Sequence, residues 1–150
     1  MRSRRSSLLR QAVRKFARMF ILKKITLDFR ETGRTVLTDG KWLSFVVEQV
    51  LSNALKYTPE GGSITIDAEA PATLCIRDTG IGITAEDLPR IFDRGYTGRN
   101  GRTYRQASGI GLYLCRRICR DLGHTITASS AAGEGTVLRL DLSRRTGPLE

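Results

Sequence analysis

Helical and strand periodicities alternate along this 150-residue chain, and together they predict a single α/β domain. Three observations carry that prediction. Apolar side chains recur at helical spacing over Leu8–Ile21, across Asp39–Tyr57 and after Gly109. Between and beyond these stretches, short segments alternate apolar and polar residues as half-buried strands do. The composition, 40% apolar and 27% charged, supplies material for one core, and no run of about 18 apolar residues is present to span a bilayer.

Residues 1–7 are a ragged basic start. Leu8, Leu9, Ala12, Val13, Phe16, Ala17, Phe20 and Ile21 then form a stripe, with Arg10, Arg14, Lys15 and Arg18 on the other side. Such a stripe ordinarily packs on a core, although a helix lying on a membrane or leading in from an upstream domain has the same pattern. Ile25, Leu27 and Phe29 alternate as a strand, Glu31–Arg34 is a turn, and Thr35–Thr38 is extended again. Asp39 is placed to cap the next helix, whose wide apolar face runs from Trp42 to Leu55 and ends at Thr58-Pro59. Gly61-Gly62 leads into a strand with Ile64, Ile66 and Ala68 on one face, and a Pro71 turn into another through Leu74 and Ile76. Thr84, with Asp87 three places on, is a capping box for a short helix reaching about Phe92. Residues 93–108 are polar, arginine-rich and too long for a plain connection, which marks a functional or mobile loop. A helix from Gly109 to Gly123, a hairpin of Thr125–Ser129 with Thr136–Leu142, and a frayed tail over 144–150 complete the chain.

The net charge of +10 is unevenly spread: nine of the 25 Lys and Arg lie in residues 1–24, which contain no acid, and eight Arg lie between Arg90 and Arg120. Charge of this size attracts any polyanion, whether nucleic acid, anionic membrane or nucleoside triphosphate. No signal peptide is readable. Cys75, Cys115 and Cys119, an odd count, form no disulfide framework and favour a reducing, cytosolic setting. Cys115 and Cys119 sit one turn apart, but no second pair exists and His124 lies beyond the helix. They are core cysteines rather than a zinc site, and His124 is a strand-start residue.

Four fragments have chemistry to offer, each ordinary when alone. Gln49, Asn53, Lys56 and Tyr57 fall within about a turn of one another; an amide oxygen and an ammonium so placed suit a magnesium ion and a phosphate, or are simply surface residues at a helix end. Asp78-x-Gly80-x-Gly82 is a plain turn, or one whose carboxylate takes an amino group such as that of adenine while its glycines let a flat base approach. Gly109-x-Gly111 opens a helix and offers free N–H groups to phosphate. The arginine-rich loop before it either adds charge over a ligand or is a solvated run.

In this order the fragments resemble the ATP-binding catalytic domain of sensor histidine kinases, within the gyrase, heat-shock chaperone, histidine kinase and MutL superfamily. The resemblance covers Asp39–Leu142. Glu48–Thr58 is similar to the N box, Asp78-Thr-Gly-Ile-Gly82 to the first glycine box and Arg90-Ile-Phe-Asp93 to the F box. Ser108–Leu114 is similar to the second glycine box and Gly133-Glu-Gly-Thr136 to the terminal one. The wording of Glu48–Thr58 with Gly95–Gly101 is nearest to the small kinases of antibiotic-sensing two-component systems. The resemblance implies an α/β two-layer sandwich, a mixed sheet of about five strands covered on one face by helices, with a mobile ATP lid over about Asp93–Ser108. It implies that Asn53 binds magnesium, Lys56 the phosphates and Asp78 the adenine amine, with Tyr57 flanking the nucleotide. Gly80 and Gly82 line the base, Phe92 anchors the lid, and Gly109 and Gly111 lie at the phosphates. Gln49, Ile83, Ile110, Leu112 and Thr136 complete the expected nucleotide set.

Two departures refine this. Many family members carry an asparagine where Gln49 stands, and hydrolytic relatives carry a glutamate that activates water; an amide is no base, and Glu48 is rotated about 100° away. ATP is therefore expected to be held and its phosphoryl group handed on, with little hydrolysis. No helix with a phosphoacceptor histidine precedes the domain. The expectation is a fragment: residues 1–24 continue from an upstream region, 25–143 form the ATP-binding domain and 144–150 a flexible tail. The implied partners are the parent kinase's dimerisation and histidine phosphotransfer domain and a response regulator, in the cytoplasmic part of a membrane-anchored sensor, with no nucleic acid. Two alternatives stand beside it: an anti-sigma-type serine kinase or ATPase of the same superfamily, and a non-enzymatic basic module for nucleic acid or membrane.

Overall fold

The computed structural model describes residues 2–30, 35–37, 40–70, 72–95 and 111–143. The turn expected at 31–34, the Asp39 cap, the Pro71 turn, the tail over 144–150, Gly109 and Ile110, and residues 96–108 of the expected lid lie outside them.

Alternating apolar residues make the strands, and a helix-period stripe makes each helix. In chain order these are β1 (Arg2–Arg4), α1 (Arg5–Leu22), β2 (Thr26–Phe29), β3 (Thr35–Leu37), α2 (Gly40–Tyr57), β4 (Ser63–Ala70) and β5 (Thr73–Asp78). α3 (Gly111–Asp121), β6 (Thr125–Ser130) and β7 (Thr136–Asp141) follow. Five strands form a mixed sheet in the order β2-β4-β5-β7-β6, with β2 parallel to β4 and the other pairs antiparallel. Register stacks its apolar residues into rows. Ala68, Leu74, Leu140 and Ile126 form one, and Ile66, Ile76, Leu138 and Ala128 the next. These rows meet the buried stripe of α2, where Val46, Leu51 and Leu55 are fully enclosed, and α3 packs beside it through Cys115 and Cys119. The other face of the sheet is polar: Arg77 bonds Asp67 (3.1 Å), and Arg139 bonds both Glu69 and Ser129 (2.7 Å each) above the buried thiol of Cys75. The two-layer sandwich implied by the motifs is thus the observed one.

α1 lies alongside α2 in the same direction, since Lys15 pairs with Glu48 (2.6 Å) near its middle and Lys23 donates to the Leu55 carbonyl near its end. Leu9, Ala12 and Phe20 are buried, so the stripe packs on the core as the commonest reading of its pattern holds, except that Ala17 and Ile21, expected in the stripe, turn outward and are exposed. α3 stops at a Schellman turn: Gly123 adopts φ +80°, its N–H donates to Arg120 O, and the His124 N–H donates to Cys119 O (2.7 Å). His124 is buried just before β6, as its strand-start reading requires.

Two local expectations are corrected. Residues 2–4 are not ragged; they form β1 and pair antiparallel with β3, outside the main sheet, and α1 begins at Arg5. Backbone pairing of this kind needs no apolar alternation, so no pattern announced it. The helix expected from Thr84 to Phe92 is a single 3₁₀ turn at Leu88–Arg90. Half of the capping box does form, with the Asp87 N–H donating to Thr84 Oγ1 (3.2 Å). Pro89, which lacks an N–H, stands where propagation needs one.

Candidate functional site

The site grows from the third row of the sheet. On the helix-facing side, Ile64, Asp78, Thr136 and Ser130 are register partners across four strands, so the row begins apolar and turns polar. Asp78 Oδ1 accepts the Gly80 N–H (2.8 Å) and the Thr136 N–H (3.2 Å), and neither bond falls on Oδ2. Burial pushes this carboxyl above the usual aspartate range, and the two N–H bonds offset only part of that rise. Ser130 Oγ donates to the Gly135 carbonyl (2.6 Å), meets Thr136 Oγ1 at 2.9 Å and accepts the Ile83 N–H at 2.8 Å. Ser130 thereby ties the terminal Gly-Glu-Gly-Thr segment to the Asp78 loop.

Three glycines are needed because backbone approaches backbone. A Cβ on Gly80 would stand 2.4 Å from the Tyr57 carbonyl oxygen, which also accepts the Ile81 N–H (3.0 Å). The loop therefore closes on the last turn of α2. Gly82 has φ +73° and Gly135 φ +83°, and a Cβ at either would overlap a carbonyl oxygen, that of Ala131 or of Asp78. α2 ends there by a side-chain bond, buried Thr58 donating its hydroxyl to Ala54 O (2.6 Å). Asn53, Lys56 and Tyr57 are half-buried near that end of α2, and the Tyr57 carbonyl ties it to the loop after Asp78.

α3 brings the second side. A Cβ on Gly111, the first residue of the helix, would lie 2.8 Å from Gln49 Oε1, so the Gln49 amide faces the start of α3. Leu112 and Phe92 pack half-buried against the core. The Arg116 guanidinium lies over the Phe92 ring (5.6 Å to its centroid), and Arg94 lies over Tyr113 (6.0 Å). These two contacts join the segment leaving Ile91 to α3.

The structure thus gathers Gln49, Asn53, Lys56, Tyr57, Asp78, Gly80, Gly82, Ile83, Thr136 and Gly111 along α2, its flanking loop and the start of α3. Gly109 and Ile110 fall outside the described residues. Ser130, Tyr113, Arg94 and Arg116 are additional participants that sequence reasoning missed. Serine in Ser129-Ser130 and arginine in Arg116-Arg117 carry no signal of which member turns inward.

The donor set suits a nucleotide. A carboxylate with one oxygen held by N–H groups leaves the other for an amino group. Among the described residues no three His, Cys, Asp or Glu side chains cluster to hold a metal ion. A magnesium ion here would be a shared one, to which the Asn53 side chain could offer one neutral oxygen, the remainder coming from phosphate and water.

Comparison with known proteins follows the same line. Residues 38–146 match the family described as histidine kinase-, DNA gyrase B- and HSP90-like ATPase. The chain is 37% identical over 140 residues to sensor histidine kinase YxdK of Bacillus subtilis, covering 89% of this chain and 43% of the relative. It is 39% identical over 137 residues to sensor protein BceS of Halalkalibacterium halodurans, covering 89% and 41%. The chain therefore spans less than half the length of these relatives. Among solved structures, the mycobacterial sensor histidine kinase MprB superposes with a TM-score of 0.81 at 22% identity, covering 97% of this chain and 100% of that one. The nucleotide-free catalytic domain of histidine kinase ThkA also gives 0.81, at 23% identity and coverages of 96% and 95%. At such identities the structural likeness speaks for the fold alone.

Proposed function

The chain belongs to the histidine kinase-, DNA gyrase B- and HSP90-like ATPase family, and from that premise we propose that it binds ATP with magnesium and donates the γ-phosphoryl group to a histidine on a separate dimerisation domain. The observation that carries this reading is the polar row of Asp78, Thr136 and Ser130 beside the turn of α2 bearing Asn53 and Lys56.

Asp78 Oδ2 accepts the adenine amine, and Thr136 closes the same end. Gly80, Gly82 and Ile83 line the base, and Tyr57 flanks the nucleotide. Lys56 holds the phosphates as a point charge, joined by the N–H groups of Gly111 and Leu112 at the start of α3, and Gly109 and Ile110 are assigned to the same phosphates. Phe92, under Arg116, anchors one end of the lid. Asn53 would hold a magnesium ion, which would supply charge neutralisation at the phosphates. Positioning and electrostatics suffice because the loose transition state of phosphoryl transfer asks little else of the protein. Gln49 has no basic form, so water is not activated and hydrolysis by the isolated domain is slow. That amide favours a kinase over the hydrolytic branch of the family. We further assign the domain to the cytoplasmic part of a membrane-anchored sensor kinase, with a response regulator as the downstream partner.

The test begins with calorimetric titration of ATP and ADP, with and without magnesium. Binding of ATP that tightens with magnesium is expected, and failure to bind either nucleotide sinks the proposal. Supplying the dimerisation domain with its histidine should then yield an acid-labile phosphoprotein. Asn53→Ala should lower that transfer by at least about a hundredfold, the scale of losing one positioned transition-state contact. Transfer at the wild-type rate would remove Asn53 as the metal ligand.

A further inference from the structure

The outward face of α1 points away from the core. Arg10, Arg14 and Arg18 stand at four-residue intervals and so form one line, and all three are exposed. Ile21 and Leu22 continue that line one turn on, with 75% and 68% of their surface exposed. The opposite side of the helix carries Leu9, Ala12 and Phe20 into the core, so these outward residues are not needed for packing. Arg14 and Arg18 form no ion pair among the described residues, and residues 1–24 contain no acid. Among the described residues, Glu48 beside the helix is matched by Lys15 (2.6 Å) and Glu60 by Lys24 (3.7 Å).

We propose that this face of α1 is a docking surface for an anionic lipid bilayer. The face is the convex side of a single helix, which suits a plane rather than a protein groove. Guanidinium groups pair with lipid phosphates, and the two aliphatic side chains at the end of the arginine line enter the acyl boundary. Nucleic acid would satisfy the arginines but leave Ile21 and Leu22 in water. An anionic leaflet satisfies both. Each basic side chain near such a leaflet contributes about fivefold in partition, so Arg14 and Arg18 together supply about 25-fold. The domain would then lie with α1 against the membrane while α3 and the polar row stay clear of it, because α1 contacts α2 on the side away from the outward arginines.

The test is sedimentation of the full chain with vesicles of phosphatidylcholine alone and with a quarter of phosphatidylglycerol, at low and physiological salt. Binding to the anionic vesicles only, weakened by salt, is expected. Arg14→Glu with Arg18→Glu should reduce it by at least about 25-fold, the product of two such contributions. Ile21→Ser with Leu22→Ser should weaken it severalfold. Arg117→Glu with Arg120→Glu, an equal charge change on the exposed side of α3, should leave it within about twofold if the face rather than net charge is responsible. Thermal melts and nucleotide titration of every variant confirm folding and separate this proposal from the assignment of the nucleotide site. Absence of vesicle binding, an equal loss with the α3 pair, or no effect of the Ile21 and Leu22 changes overturns it. Loss of duplex DNA binding on Arg14→Glu with Arg18→Glu, in place of vesicle binding, would instead give the face to nucleic acid.

Discussion

Asp78 concentrates a conflict between stability and binding in one carboxyl. Burial raises its pKa, so across the range from the ordinary value of 3.8 to the raised native one the folded chain keeps a proton that the unfolded chain has lost. Stability therefore falls as pH climbs through that window and is flat above it. Asp78→Asn keeps an oxygen to accept the Gly80 and Thr136 N–H groups while removing the charge. Its melting temperature at pH 7 should be no lower than that of the wild type, with the pH dependence across that window flattened. Nucleotide affinity should nevertheless drop by about 10–100-fold, the worth of a hydrogen bond to a charged group. Melts across pH together with ATP titration check both halves, and a large loss of stability would mean that the carboxylate is structural. The aspartate was legible in the sequence from its Gly-x-Gly context. The inward serine was not: nothing in Ser129-Ser130 tells which residue faces Thr136 until the register of β6 on β7 is known.

At the scale of elements, the loops are held by approaches that admit no side chain. Gly82→Ala and Gly135→Ala combine a left-handed backbone with overlap on a carbonyl oxygen, and each should cost about 2–4 kcal/mol in denaturant melts. Gly133 has φ +79° with open space around its Cβ position, so Gly133→Ala should cost only about 1 kcal/mol, the backbone strain alone. Gly111→Ala meets nothing but the end of the Gln49 side chain, which can swing aside, so its stability should stay within about 1 kcal/mol of wild type. Equal losses across this series would show that the contact geometry does not set the cost. The same paired contacts explain why the 84–92 segment misled a pattern reading. Thr84 and Asp87 make a genuine helix start, but Pro89 interrupts the helical bonding, leaving the single 3₁₀ turn.

Across the whole molecule, all three thiols are buried, Cys115 and Cys119 in the core under α3 and Cys75 on the other face of the sheet beneath Glu69 and Arg139. Burial pushes Cys115 up to about 12 and Cys119 up to about 11, and it raises Cys75 as well. A thiol-specific reagent at mildly alkaline pH should therefore label the native chain at least about a hundredfold more slowly than the chain in denaturant, because both the thiolate and access to it are lacking. Rapid labelling of Cys115 or Cys119 in the folded protein would contradict the packing of α3 on α2.

Local pattern determined a good deal by itself. The periods of α1, α2 and the strands are written within each element, because burying one face requires a repeat of 3.6 or 2 residues whatever lies opposite. The motif residues from Asn53 to Thr136 were readable for the same reason, as types at short spacings. What the tertiary structure alone decided is which of them meet. Asp78 joins Thr136 across a separation of 58 residues, Gln49 faces Gly111, and Phe92 lies under Arg116. Those meetings follow from strand register and from the docking of α3 beside α2. Both are set by competition among many buried contacts across the chain, a quantity that no single segment of sequence contains.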